Sequence, residues 1–246
     1  MIIYGINPVL EALRAGRVKE VRLSSDTAGG GNERLRQLVT LADERKVRVR
    51  RVPVDLLERE SRRGVHQGVV ADVEEGDNYS IDELVRGASG PSLLVVLDGI
   101  EDPHNLGAIL RTADAAGVDG VVVQNRRSAP RDGAAAKASA GAVAHVKIAE
   151  VVNIARAVVE LKEAGVWTVG LAGEAATAYD AIDFRLPTAV VLGAEESGLR
   201  RLVRERCDRL ASIPMHGHVG SLNVSVAAGI VLFEALRQRA RRGGPA

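Results

Sequence analysis

Four short apolar runs, at 93–97, 120–123, 166–171 and 188–192, constrain this fold more than any other feature. They are rich in β-branched residues and bounded by glycine or proline. A strand wetted on one face alternates apolar and polar residues. A continuous run is buried on both faces, as in a parallel sheet covered by helices. Helical patterns lie between and after these runs, at 106–116, 153–164 and 199–206. Near the end Val224, Ala227, Ala228, Val231 and Ala235 recur at helical spacing, so 222–239 is a long amphipathic helix. The Ala-rich stretch 133–144 reads as a loop or helix end. The predicted class is α/β with a parallel sheet.

The first part of the chain is patterned differently. It reads as helix 7–14, strand 20–23, helix 33–46, strand 48–53 and strand 68–72, a small α/β unit. Residues 74–92 are rich in Gly, Ser and acids. The expected organisation is therefore a domain over 1–75, a linker over 76–91 with a short helix at 80–87, and a larger domain over 92–246.

With 246 residues, 46% of them hydrophobic, the chain can bury a core without metal or disulfide support. Cys207 is the one cysteine, which excludes a disulfide framework and any Cys-rich metal site. No metal is expected: His216 and His218 have no carboxylate or Cys beside them to complete a ligand set. No apolar run reaches the ~18 residues of a membrane span. The N-terminus lacks the basic and apolar regions of a signal peptide, so the expected compartment is the cytoplasm.

Net charge is +1 and aromatics are 2% of residues. A stacking platform for single-stranded bases needs clustered aromatics, so that mode of RNA binding is not expected. The basic charge is local. Residues 45–63 hold eight basic against three acidic residues, including Arg48, Arg50 and Arg51. Such a segment is either a solvated surface or a phosphate-contacting face.

Three glycine-containing turns each follow an expected strand. They are 98–107 with Asn105, running on to Arg111; 192–198 with Gly193 and Glu195; and 213–223 with Ile213, Met215, Ser221, Leu222 and Asn223. Ligands of open α/β sheets bind beyond the carboxyl ends of strands, where such turns gather. Each turn alone reads as an ordinary strand–helix connection; together they suggest one composite site. The sequence has no G-x-G-x-x-G, no P-loop and no G-x-S-x-G elbow.

The Asn105-x-Gly107-x-x-x-Arg111 turn resembles the first motif of the SpoU/TrmH branch of the SPOUT RNA methyltransferases. Gly193-Ala194-Glu195-x-x-Gly198-Leu199 resembles the second, and the run from Ile213 to Ala227 the third. Tyr4-Gly5-x-x-Pro8 and Val65-His66-Gln67-Gly68 resemble that branch's substrate domain. The resemblance covers nearly the whole chain. It implies a SPOUT catalytic domain with a C-terminal trefoil knot, a homodimer, and S-adenosylmethionine as cofactor. Gly193, Ile213 and Leu222 would hold the cofactor, with Gly173 and Met215 nearby. Transfer would go to a ribose 2′-hydroxyl, a group that RNA has and DNA lacks.

On this reading Arg111 stabilises negative charge at the attacking oxygen, the family's matching arginine having been assigned the general-base role. Glu195 is expected to orient Arg111 through a bidentate pair. Asn105 and Asn223 would hold loops and ribose by amide hydrogen bonds, and Ser221 would add a hydroxyl contact. Arg126 and Arg131 would add an RNA-contacting strip to Arg48, Arg50 and Arg51. The N-terminal segment tilts the expected substrate toward ribosomal RNA, and the resemblance implies a guanosine of 23S ribosomal RNA. The alternatives are transfer RNA, a ribosomal antibiotic-resistance site, or a non-catalytic assembly factor on the same scaffold.

Overall fold

The strands assemble into two separate sheets, and the four apolar runs all lie in the second. The computed structural model describes residues 1–26, 32–74, 76–125 and 133–240. The first sheet holds β1 (Ile2–Tyr4), β2 (Val18–Ser24), β3 (Arg48–Val52) and β4 (Val69–Val73), in the order β1-β4-β2-β3. Strand β4 is antiparallel to β1 and β2, while β3 runs parallel to β2 at the edge. Helices α1 (Ile6–Arg14) and α2 (Glu33–Glu44) cover one face, burying Leu10, Leu13 and Leu38 against Val21, Leu23 and Ala71. Helix α3 (Val54–Glu60) lies on the other, with Leu57 against Val52 and Val70. Strand β1 and helix α3 are absent from the sequence expectation, because three and seven residues are too few to display a period.

The start of α1 is capped from a distance. Gly5 has no side chain to accept a helix N–H, so Gln67 Oε1 accepts from Ile6 N at 3.1 Å. Gln67 thereby ties the segment before β4 to the first helix.

The stretch expected as a linker is stitched to the second sheet. Helix α4 (Ile81–Arg86) carries a Ser80/Glu83 capping box. Its Ile81 and Leu84 are buried with Val122, Ile154 and Leu161. Just before it, Tyr79 N donates to Ile148 O at 3.0 Å.

The second sheet is parallel throughout. It holds β5 (Leu93–Asp98), β6 (Gly120–Gln124), β7 (Ile148–Val151), β8 (Trp167–Leu171), β9 (Thr188–Gly193) and β10 (Arg209–Ala211), in the order β10-β8-β9-β5-β6-β7. All six residues of central β5 are buried. Helices α5 (Pro103–Ala115) and α9 (Val224–Ala240) cover one face, with Ile109, Leu110, Val231 and Leu232 packed on Val95 and Val190. Helices α4, α7 (Ile154–Glu163) and α8 (Arg201–Arg206) cover the other. The chain leaves β5 toward β6 on one side and later fills β8 and β9 on the other. This reversal opens a crevice at the carboxyl ends of the central strands.

The Ala-rich stretch forms helix α6 (Gly133–Ala138) and a 3-10 turn at Ala142–Ala144. It wedges between the two sheets. Ala136 is fully buried in the N-terminal core, and Lys137 Nζ donates to Val65 O at 3.0 Å. Gly107 of α5 seats directly on it: a Cβ there would lie 2.7 Å from Ala135 O. Small residues on both elements permit this approach, so the glycine in Asn105-x-Gly107 is explained by packing.

Candidate active site

The turns after β8, β9 and β10 and the start of α9 enclose a cavity of about 410 Å³. Gly173, Gly193, Ile213, Met215 and Leu222 all line it, together with Glu195 and Ser221. Its floor is apolar, from Leu171, Leu192, Ile213 and Val224. Gly193 lets the turn fold back on itself, since a Cβ there would collide with the backbone of Gly198 and Leu199. Gly173 and Gly220 border the cavity with no protein atom within 4 Å of where a Cβ would stand, so side chains there would project into open space. An apolar floor, glycine walls and strand ends suit a flat heteroaromatic group held by backbone contacts.

Asn223 joins the three turns. Its Nδ2 donates to Asn105 Oδ1 at 3.0 Å and also to Glu195 Oε1. Its Oδ1 accepts from Ser225 N at 2.9 Å, capping α9. Asn105 is buried, whereas Asn223 is exposed, as are the cavity-lining Glu195 and Ser221. Within the described residues of one chain, the expected Arg111–Glu195 pair does not form. The amide at the α9 cap lies between the two loops and takes the Glu195 carboxylate instead. Arg111 is exposed on α5, and among the described residues it makes no side-chain hydrogen bond or ion pair.

Asp98 and Arg200 escape the sequence reading. Asp98 ends β5 with its side chain fully buried. Arg200 closes on it twice: its backbone N donates to Oδ2 at 2.8 Å and its Nε to Oδ1 at 2.6 Å. Arg200 Nη2 also reaches Gln124 Oε1 at 2.8 Å. The pair thus pins the end of the Gly193–Leu199 turn to β5 and β6. The available signal was an acid ending an otherwise apolar strand run, a buried charge that requires a partner.

The basic residues of β3 divide by strand parity. Arg48 and Arg50 share the α3 face of the first sheet, both beside Glu20, at 3.9 and 3.7 Å. Arg51 points to the opposite face, where its Nη1 donates to Ser24 O at 3.2 Å. Arg126 and Arg131 lie outside the described residues. Among the described residues no group of three or more His, Cys, Asp or Glu is placed to hold a metal ion, and no helix is long and apolar enough to cross a membrane.

A six-stranded parallel sheet with a cavity at its strand ends, beside a smaller four-stranded unit, puts this chain in the α/β class. The chain belongs to the SpoU rRNA methylase family, whose model matches residues 92–233. The model for RNA 2′-O ribose methyltransferase substrate binding matches residues 2–79. A 23S rRNA (guanosine-2′-O-)-methyltransferase RlmB of Pseudomonas syringae pv. tomato is 45% identical over 252 residues, covering 99% of this chain and 98% of the relative. Among solved structures, the SpoU methyltransferase AviRb from Streptomyces viridochromogenes in complex with the cofactor AdoMet matches with a TM-score of 0.81 and 27% identity, covering 98% of this chain and 91% of that one. A TrmH/SpoU tRNA modifying enzyme of A. aeolicus matches with a TM-score of 0.55 and 33% identity, but over 62% of this chain and 78% of that one.

Proposed function

We propose that this chain methylates the ribose 2′-oxygen of a guanosine in 23S ribosomal RNA, using S-adenosylmethionine. The observation that carries this reading is the 45% identity, across both sheets, to a protein of that activity. The transfer-RNA modifying enzyme matches over a smaller share of the chain, which favours ribosomal RNA.

The cavity residues Gly173, Gly193, Ile213, Met215 and Leu222 would hold the cofactor, and the apolar floor and glycine walls fit its adenosine end. When bound, S-adenosylmethionine supplies a methyl group activated by a positively charged sulfur. The protein's task is then positioning and charge. Asn223, fixed by Asn105 and Glu195, holds the edge of the site rigid, so that little reorganisation remains when the ribose arrives. Arg111 directs a permanent cation at the developing alkoxide. A guanidinium has a pKa of about 12.5–13.8, so it serves better as a donor than as a base.

A homodimer is part of the same proposal. Val226 and Phe233, seven residues apart on α9, are each 50% exposed, an apolar stripe that a second copy would cover. Arg111 has no partner among the described residues of its own chain and does not line its own cavity, which supports its serving the partner's site. After β10, at the sheet edge, the chain returns past the β9 turn to α9 beside α5. We read this path as the trefoil knot. On this reading the expected compartment is the cytoplasm.

The test is transfer of labelled methyl from S-adenosylmethionine to 23S RNA and to transfer RNA, by wild type and Arg111→Ala. Labelling of 23S RNA alone, lost in the variant, is expected. Labelling of transfer RNA alone would replace the substrate. A wild type that binds the cofactor but labels neither RNA would point to another substrate such as a ribosome precursor; failure to bind the cofactor as well would favour the non-catalytic assembly factor.

A further inference from the structure

We propose that Arg204 and Glu174 form the subsite for the amino-acid end of S-adenosylmethionine. The proposal rests on the reading of the cavity as the cofactor site and adds to it. Glu174 lies in the turn after β8 and Arg204 on α8; both line the cavity, and their side chains pair with each other. They are 58% and 42% exposed, so the pair stands at the wet rim, away from the apolar floor of Leu192 and Ile213.

Charge type selects the ligand end. Among the described residues lining the cavity, Arg204 is the one Lys or Arg, against the carboxylates of Glu174, Glu195 and Glu196. The cofactor carries two cations, a sulfonium and an ammonium, and one carboxylate. Its single anion therefore has one cationic side chain to meet. Glu195 is engaged by Asn223, whereas Glu174 stands beside Arg204.

An α-amino acid bears its ammonium and carboxylate on one carbon. A guanidinium and a carboxylate already in contact can open and interleave with that pair, each charge meeting its opposite. An exposed ion pair is weak in water, so opening it costs little. Guanidinium also binds carboxylate bidentately, which an ammonium does not. The resting pair keeps the subsite's two charges adjacent until the ligand separates them.

The experiment is calorimetric titration with S-adenosylhomocysteine and with 5′-methylthioadenosine. Both are thioethers of the same nucleoside, but only the first has the amino-acid end. Arg204→Met and Glu174→Gln are each expected to weaken S-adenosylhomocysteine about tenfold, in line with loss of a charge-assisted hydrogen bond. Binding of 5′-methylthioadenosine should stay within about twofold, and Arg204→Lys should recover part of the loss. Unchanged binding of S-adenosylhomocysteine, or equal weakening of both ligands, overturns the proposal. A wild type that binds both ligands equally overturns it while leaving the cavity reading intact. A wild type that binds neither overturns both.

Discussion

Asn223 and Asn105 are 118 positions apart, yet their side-chain amides meet at 3.0 Å. The same Asn223 amide also holds Glu195, so one residue ties the β5, β9 and α9 turns together. Asn223→Asp keeps an oxygen to cap α9 but loses the Nδ2 donor and sets a second carboxylate beside Glu195. The expected result is a fall in kcat of about 100-fold, the size of effect an ~1 Å misplacement produces. Single-turnover methyl transfer and the thermal midpoint together check this. Unchanged turnover would show that the clasp is not needed for catalysis.

Arg200→Met leaves the Asp98 carboxylate buried, with the Arg200 backbone N–H still donating to it. Removing one partner of a fully buried pair costs about 3–5 kcal/mol. Because the Arg200 side chain is 43% exposed, a loss nearer ~2–3 kcal/mol is expected here. Urea denaturation measures it, and a change below ~0.5 kcal/mol would mean the pair does not anchor the turn.

Asp208 gives the fold an acid-sensitive contact. Burial pushes its carboxyl upward, but hydrogen bonds from Lys162 Nζ and from Thr168 N and Oγ1 outweigh this and hold it below the ordinary aspartate value. The unfolded chain therefore binds its proton more readily. The stability gained is complete above the ordinary aspartate pKa of about 3.9 and is lost as pH falls below it. Asp208→Asn should cost about 1–3 kcal/mol at pH 7 and progressively less in acid. Denaturation curves at neutral and acid pH decide the matter; a pH-independent difference would contradict it.

Cys207 should be chemically silent in the folded chain. Burial, then the neighbouring Asp208, pushes its thiol up to about 12, and Sγ donates to Val203 O at 3.3 Å. At pH 8 thiolate is scarce, so alkylation should run at least ~100-fold slower than in denaturant. Mass-spectrometric labelling reads this, and rapid labelling of native protein would refute it.

The faces of β3 separate two arginines from the third. Arg48→Gln with Arg50→Gln should weaken RNA binding and flatten its salt dependence, by about one unit of slope for each phosphate no longer neutralised. Arg51→Gln, on the opposite face beside Ser24 O, should leave the slope unchanged. Filter binding across a salt series distinguishes them, and equal effects would remove the assignment by face.

Much of this molecule was legible in one dimension. The runs at 93–97, 120–123 and 188–192 predicted buried parallel strands, because burial on both faces leaves an uninterrupted apolar signature. The turn residues and their order carried the resemblance to the methyltransferase family, and the family models match the same stretches. Short elements left no such trace: β7 with four residues and β10 with three are strands only because a neighbour pairs with them. Long-range partnership was equally hidden. That Asn223 and not Arg111 takes Glu195, that Asp98 meets Arg200, and that the Ala-rich stretch wedges the two sheets together all depend on which surfaces packing brings into contact. Local pattern reports what each segment buries; only the tertiary structure decides against what it is buried.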